Sequence, residues 1–332
     1  MREELLLLTE RSVALRYLVL TSLVEPVDPE EPTQLRRHLT EDPLVKELDD
    51  SQLPDGSWTD RDLAWSLRRY GMLGLEPDYE PVARAVEYCF SRQQADGSWP
   101  IPHRSVDDRL ARSGYDMIPL QTALPLVGLS ACGLAEDPRC EKAYQWLLNQ
   151  RLEDGAWPAG ITDGVYGYIA GYRRLPHSRW GCRSNTTGVL LALCGHPQLR
   201  HSPEALRALD LLLARETRDA ANLGFETARL FGFERVRGLF TRFARFDPLL
   251  ALELAAGVGA GISDERVADL AEWVIDQRSS NGLWTYTDGN ASPFVSYAAL
   301  TTLRALGPGR PDWWSNEPRT PFQPYPRPRK RW

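Results

Sequence analysis

No stretch of the chain approaches the roughly 20 consecutive apolar residues that a membrane-spanning helix needs, so nothing in it reads as a transmembrane segment. The apolar run Leu5 to Leu8 is too short for a secretory core, and the acidic Glu3 and Glu4 precede it. Cysteine is scarce: Cys89, Cys132, Cys140, Cys182 and Cys194 are scattered, odd in number and form no Cys-x-x-Cys pair. That pattern excludes a disulfide framework and points to free thiols in a reducing cytoplasm. Histidine is equally sparse. His38, His103, His177, His196 and His201 show no ligand spacing, so no metal is expected. The chain has neither a phosphate-binding glycine loop nor a serine nucleophile elbow, and no cofactor is expected. A net charge of -6 argues against a nucleic-acid partner.

What the 332 residues do have in excess is 11 Trp and 25 Pro. Hydrophobic residues at 42% and charged residues at 25% otherwise describe an ordinary folded chain, long enough to bury a sizeable core. The tryptophans point to repeated wedge positions or an aromatic-lined cavity. Four of them end nearly the same segment: Gln52 to Trp58, Gln94 to Trp99, Gln150 to Trp157 and Gln277 to Trp284. Each runs Gln, a few polar residues, Asp or Asn, Gly, one residue, Trp. A decayed fifth copy spans Glu216 to Phe225. Asp-Gly or Asn-Gly ends a helix because glycine tolerates the left-handed conformation at a cap.

An amphipathic helix precedes three of the turns, over residues 83–93, 140–150 and 267–277. A second helix follows each turn after a variable loop, over 62–74, 119–133, 185–195 and 296–307. These second helices are rich in Ala, Leu, Thr and Gly and mostly apolar all round, so they belong on the inside. The fold class expected is all-α: a ring of helical hairpins, each with an outer and a buried inner helix. An open solenoid would expose the apolar inner helices on its concave face. The four turn tryptophans are expected to be structural staples, each indole lying over a Gln side chain.

The turn also carries a resemblance. Arg84-Ala85-x-x-Tyr88-Cys89-x-x-x-Gln93-x-x-x-Gly97-x-Trp99 is similar to the QW motif of the prenyltransferase and squalene-cyclase repeat proteins, with Cys89 at an aliphatic position. Lys142-Ala143-x-x-Trp146-Leu147 opens the third copy the same way, with Gln150 one residue early. The resemblance covers about residues 50 to 306 and implies an α/α toroid of five to six hairpins. Residues 1–50 then cap or complete the ring, with helices expected over 2–24 and 33–50. Residues 307–332 form a Pro/Arg/aromatic tail, strapped onto the toroid by Trp313, Trp314, Phe322 and Tyr325.

Loops between each Gly-x-Trp and its inner helix should line the mouth of a central cavity, where helix N-termini favour anions. Three are long. In the first, the resemblance implies an Asp-x-Asp-Asp whose middle Asp protonates an alkene or epoxide, running directly into an inner helix that begins Thr-Ala. This chain has Ser105-Val106-Asp107-Asp108, with Thr122-Ala123 well downstream. Asp107, Asp108 and Asp116 are the candidate acids. Helix capping or pairing with Arg104 and Arg109 is the alternative for the first two. The second loop, 160–185, offers Tyr166, Tyr168, Tyr172 and Trp180 beside Arg173, Arg174, His177, Arg179 and Arg183, a set suited to a ligand with an anionic head and a greasy or cationic body; a surface loop with solvated arginines is the alternative. The third, 224–247, alternates Phe and Arg and reads as an amphipathic helix with Phe inward and Arg outward. Protein prenyltransferase subunits of this kind hold zinc through Asp, Cys and His, but no Asp-x-Cys is present.

The functional expectation is a terpene-cyclase-like or prenyltransferase-like toroid that binds and processes an isoprenoid, with a peripheral membrane contact and the oligomeric state left open. Two alternatives stand beside it. One is a non-catalytic toroid that binds a lipid, peptide or protein. The other is an enzyme of unrelated chemistry, such as a carbohydrate-active one, on the same scaffold.

Overall fold

A Gly-x-Trp turn contributes one residue without a side chain and one indole N–H, and the chain uses both in the same way four times. The computed structural model describes residues 2–25, 28, 30–59, 62–100, 117–162, 164–169, 171–215, 222–234, 243–286, 292–307 and 320–323. Each indole Nε1 donates to the carbonyl ten residues earlier: Trp58 to Leu48 at 3.0 Å, Trp99 to Cys89 at 2.8 Å, Trp157 to Leu147 at 2.7 Å and Trp284 to Val274 at 2.7 Å. Every acceptor lies in the last turn of the preceding helix, where carbonyls have no partner within the helix. The tryptophan therefore caps its own outer helix.

The glutamine couples neighbouring units. Gln52 Nε2 donates to its own Gly56 carbonyl at 3.3 Å and to Pro81 of the next outer helix at 2.8 Å. Gln93 repeats this with Gly97 and Arg139, both at 2.9 Å. In the third copy Arg151 stands at that place, its Nε on the Gly155 carbonyl at 3.4 Å. The turn glycines Gly56, Gly97, Gly155 and Gly282 take φ of +88°, +95°, +97° and +88°. They also press on what comes next: a β-carbon at Gly56 would overlap the Arg84 carbonyl, and one at Gly97 the Lys142 carbonyl.

Fourteen α-helices lie among the described residues. They are α1 Arg2–Leu8, α2 Val13–Ser22, α3 Glu30–Arg37, α4 Pro43–Ser51, α5 Leu63–Met72, α6 Glu80–Ser91 and α7 Pro119–Ala131. The rest are α8 Pro138–Asn149, α9 Arg183–Cys194, α10 Pro203–Leu213, α11 Phe225–Leu230, α12 Pro248–Val258, α13 Glu265–Asp276 and α14 Pro293–Ala305. Much of the proline is explained by where these helices start, since α4, α7, α8, α10, α12 and α14 each begin on Pro, whose fixed φ suits the first turn. Two short strands, β1 Ile161–Thr162 and β2 Val165–Tyr166, pair antiparallel in the second loop.

Outer helices α4, α6, α8, α10 and α13 precede inner helices α5, α7, α9, α12 and α14. The inner ones pack in succession, α5 on α7, α7 on α9, α9 on α12 and α12 on α14. Contact of α5 with α7 is close enough that a β-carbon at Gly128 would overlap the Ala64 carbonyl. The N-terminal helices fill the remaining gap. α14 packs on α1 and α2, Arg304 pairs with Glu4, and the Gly282 turn abuts Glu3 as the other turns abut their next outer helix. Gly74, just past α5, abuts Tyr17 of α2 on the other side. This all-helical succession is consistent with an α/α toroid.

The helix expected over 2–24 is two helices. Asp42, fully buried, explains the break: it accepts from Ser12 Oγ at 2.7 Å, from the Ala14 amide at 3.0 Å and from the Leu44 amide at 2.9 Å, capping α2 and α4 together. Of the four aromatics expected to strap the tail, Phe322 lies among the described residues. Phe322 is 56% exposed. The contacts come instead from the backbone and Thr320: the Thr320 amide and hydroxyl donate to Asp210 at 3.0 and 2.5 Å, and the Gln323 amide donates to Ala214 at 2.9 Å. Trp313, Trp314 and Tyr325 fall outside the described residues. The cysteines are free thiols.

The capping role sets a graded expectation. Trp157 is fully buried, so Trp157→Ala should lower the unfolding free energy by about 3–5 kcal/mol. Trp157→Phe keeps most of the packing and loses the N–H bond, and should cost about 1–2 kcal/mol. Urea unfolding followed by circular dichroism measures both; a Phe variant as stable as the native chain would remove the capping role.

Candidate functional site

The inner helices share a register that fixes where an acid could enter. Thr122, the fourth residue of α7, accepts from the Trp99 amide at 3.2 Å. Thr186, fourth in α9, accepts from Trp157 at 3.0 Å, and Ser296, fourth in α14, from Trp284 at 3.0 Å. Buried Ser66 is the fourth residue of α5. Thr122-Ala123 is therefore the Thr-Ala that begins an inner helix, and the four residues before it are Ile118, Pro119, Leu120 and Gln121, none of them an acid. Asp107, Asp108 and Asp116 fall outside the described residues, as does His103.

The second loop does not gather its candidate residues into one pocket. Tyr168 is 78% exposed and Tyr172 58% exposed. Tyr166 is half-buried against Trp180, ring centroids 5.7 Å apart, and the Arg179 guanidinium covers Trp180 at 4.9 Å. Arg173 lies 5.7 Å from the Tyr172 ring. Exposed His177, at φ +54°, meets the Pro321 carbonyl of the tail at 3.1 Å. Arg183 turns inward. Its Nη2 donates to the Arg215 carbonyl at 3.0 Å, and it lines a cleft with Thr187, Leu209, Phe246 and Asp247 that leaves about 20 Å³ for water. Composition gave these residues a common purpose; in the fold Tyr168, Tyr172 and His177 face solvent instead.

The third loop supplies what sequence reading placed elsewhere. Its described part folds onto the toroid, with Phe231 stacked on Phe294 of α14 at 3.9 Å and Phe243 edge-on to Trp65 of α5 at 6.1 Å. Arg229 does not face outward as expected: it pairs with Glu226 at 2.8 Å with both side chains buried, and its guanidinium sits 4.1 Å from the Trp65 ring. Gly224 keeps the left-handed φ of a decayed turn, but Phe225 opens α11 and joins the core. Asp247 fastens this loop, accepting amides of Gly224, Glu226 and Leu249 at 2.9, 2.9 and 3.1 Å.

Beneath the loop lies an ionisable cluster inside the toroid. Arg68 of α5 is 9% exposed, and its guanidinium lies 4.9 Å from the Trp65 ring. Its neighbour Arg69 points the other way, to Glu47 of α4 at 2.9 Å. Glu253, on α12, is the charge that acts most strongly on Arg68, followed by Glu226. On α9 and α12 the residual exposure is confined to Leu191 and Cys194, and to Glu253, Ala256 and Gly257. Spacings of three and four put each set on one helix face. Glu253 and Cys194 are surrounded by protein yet keep some accessible surface. Sequence offered a signal for Glu253: it is the lone charge in the apolar run from Pro248 to Val258.

Burial sets the protonation of this cluster. It pushes the Glu253 carboxyl up to about 7; Glu226 pushes in the same direction and Arg68 opposes. Asp247 is also pushed up to about 7 by burial, with Glu226 and Glu253 adding to the rise and the Glu226 and Gly224 amides resisting it. Burial lowers Arg68 and raises the Cys194 thiol to about 12. No group of His, Cys, Asp or Glu placed to hold a metal occurs among the described residues, and none of their helices is long and apolar enough to cross a membrane. Because folding raises the Glu253 pKa, the folded chain binds that proton more tightly than the unfolded chain. The resulting stability is full below the ordinary carboxyl value and is lost as pH rises through about 7. Glu253→Gln should therefore melt above the native chain at pH 8 by roughly 2–4 °C, with the gain absent at pH 5. Thermal melts at the two pH values test this; parallel shifts at both would refute it.

Residues 36–168 match the squalene-hopene cyclase C-terminal domain family. The probable squalene–hopene cyclase of Sinorhizobium fredii is 32% identical over 120 residues, 32% of this chain and 18% of that protein. The squalene–hopene cyclase of Bradyrhizobium diazoefficiens is 29% identical over 126 residues, 34% of this chain and 18% of that protein. The chain thus spans under a fifth of these relatives' length. The apo structure of the type II terpene cyclase MstE from Scytonema aligns with 88% of this chain and 86% of its own, at 14% identity and a TM-score of 0.44. Over the segment from residue 36 to residue 168, with its three Gly-x-Trp turns at Trp58, Trp99 and Trp157, the chain is similar to the squalene-hopene cyclases.

Proposed function

We propose that the chain is a terpene-cyclase-like toroid of six helical hairpins that binds and processes an isoprenoid in its interior. Residues 1–50 complete the ring, 51–306 carry the repeats and 307–332 form the tail. The observation that carries this reading is that Trp65, Cys194 and Glu253 keep accessible surface on inner helices that are otherwise packed, which we take to border an internal space. An apolar-walled interior with a few convergent polar groups is the usual form of a small-molecule site. Aromatic rings facing it suit a greasy chain and any cationic charge developing on it. The kinship with squalene-hopene cyclases over residues 36–168 supports the same substrate class.

One specific observation favours a second reading, a toroid that binds without turnover: no carboxyl stands in register before Thr122. The two readings separate in one experiment. Native mass spectrometry of the purified chain should show a retained isoprenoid. Incubation with linear prenyl hydrocarbons, alcohols and diphosphates should give product from at least one, and Asp107→Asn, Asp108→Asn and Asp116→Asn variants should show whether the first long loop supplies the acid. A bound isoprenoid with no turnover of any substrate selects the binding protein. A retained sugar or peptide, or no binding across the panel, rejects the isoprenoid reading.

A further inference from the structure

Most polar groups around the interior are engaged. Glu226 and Arg229 pair with each other at 2.8 Å. Asp247 accepts three backbone amides. The Tyr297 hydroxyl meets Ser22 of α2 at 3.1 Å. Arg68 and Glu253 differ. The Arg68 Nη1 is buried and has no hydrogen-bond partner, and Glu253 makes neither hydrogen bond nor ion pair with any described residue. Each feels the other's charge, yet they do not close the gap between them. An unpaired guanidinium in such a place is costly, and an unsatisfied buried donor of this kind marks a place where another molecule's acceptor belongs.

We propose that Arg68 and Glu253 form a binding site for the oxygenated end of a prenyl chain, an alcohol or carbonyl and not a diphosphate. This rests on the isoprenoid reading and adds to it the chemistry of the head group. The guanidinium N–H donates to the ligand oxygen from α5, and the neutral Glu253 carboxyl donates to the same oxygen from α12. Trp65 and Phe243 flank the site with apolar surface. The charge present argues for a neutral oxygen. Glu226 is paired with Arg229, and burial raises both Glu253 and Asp247 to about 7, which leaves the single charge of Arg68 to meet a ligand. One guanidinium in a poorly solvated site does not offset the several negative charges of a diphosphate.

The protonation state gives the site a pH signature. The groups facing Glu253 are Arg68 from α5, Cys194 from α9, Glu226 from α11, Asp247 at the head of α12 and Tyr297 from α14. The thiol and the phenol stay neutral near pH 7, since burial raises both. Below about 7 the Glu253 carboxyl holds its proton and can donate; above it, the carboxylate repels an oxygen that only accepts. A carbonyl head should therefore bind better at pH 6 than at pH 8. An alcohol, which can turn and donate to the carboxylate, should bind at both.

The test uses the full chain and four probes of one chain length, farnesene, farnesol, farnesal and farnesyl diphosphate, with binding followed by tryptophan fluorescence at pH 6 and pH 8. Farnesol and farnesal should bind at least about tenfold more tightly than farnesene at pH 6, the scale expected for a hydrogen bond to a charged donor. Farnesal alone should weaken at pH 8. Arg68→Met should remove the preference for oxygen while leaving farnesene unchanged. Glu253→Gln, whose amide still donates, should retain the farnesal preference and lose its pH dependence. The double variant Arg68→Met/Glu253→Gln, which leaves no unpaired charge, should behave as Arg68→Met does, and circular dichroism checks that each variant folds. If farnesene binds as tightly as farnesol, or if Arg68→Met leaves the oxygen preference intact, the head-group site is wrong and the isoprenoid reading stands. Tightest binding of farnesyl diphosphate would overturn the choice of a neutral head. If none of the four binds, both the site and the isoprenoid reading fall.

Discussion

The bond from each turn's indole N–H to a carbonyl ten residues earlier fixes where the outer helix ends and where the chain turns inward. The four donors lie at 2.7–3.0 Å from Leu48, Cys89, Leu147 and Val274. Since the acceptor lacks an intrahelical partner, the bond satisfies a group that would otherwise need water. The glycine two residues before the tryptophan then lies flat on the next outer helix, and the residue four before that glycine reaches across to it. Angle and spacing between units are thereby set locally, one turn at a time. Closure follows when the last turn meets α1 in place of a further repeat.

This local character explains what the sequence revealed. A glycine held at positive φ and an indole with one polar atom are demands of a few neighbouring residues, so Gly-x-Trp was readable as a helix end. The helix classes were readable too, because burial on one face or on every face leaves a periodic trace. The break at Ser12 was not, because it depends on Asp42 arriving from thirty residues on to cap α2. Nor was the direction of Arg68. Adjacent arginines on α5 are indistinguishable in sequence, and only the toroid decides that Arg69 meets Glu47 while Arg68 faces inward. Glu253 was readable in principle as a lone carboxylate in an apolar helix. The cluster it belongs to needed α5 and α12 brought face to face, with α11 folded against them.

The third long loop changes the character of the interior. In a toroid walled only by inner helices the central space would be apolar. Here the loop inserts Glu226 and Arg229 beside Trp65 and hangs on Asp247 through three amides. Phe231 and Phe243 seal it against α14 and α5. The loop is thus both wall and source of charge, which is why Glu253 feels Glu226 as well as Arg68. Removing it would alter the electrostatics of the space as much as its volume.

A polar interior of this kind constrains chemistry. Protonating an isolated alkene demands an acid far stronger than a carboxyl that releases its proton near pH 7, and a carbocation must be kept from nearby bases. Glu253 and Asp247 are weak acids by that measure and would act as bases toward a cation. The same groups match a ligand oxygen well, because a neutral carboxyl and a guanidinium can donate to one acceptor from opposite walls. If an alkene is protonated anywhere in this chain, the acid must therefore be sheltered from this cluster. Recognition of a polar end and reaction at an apolar end would then fall to different parts of one interior.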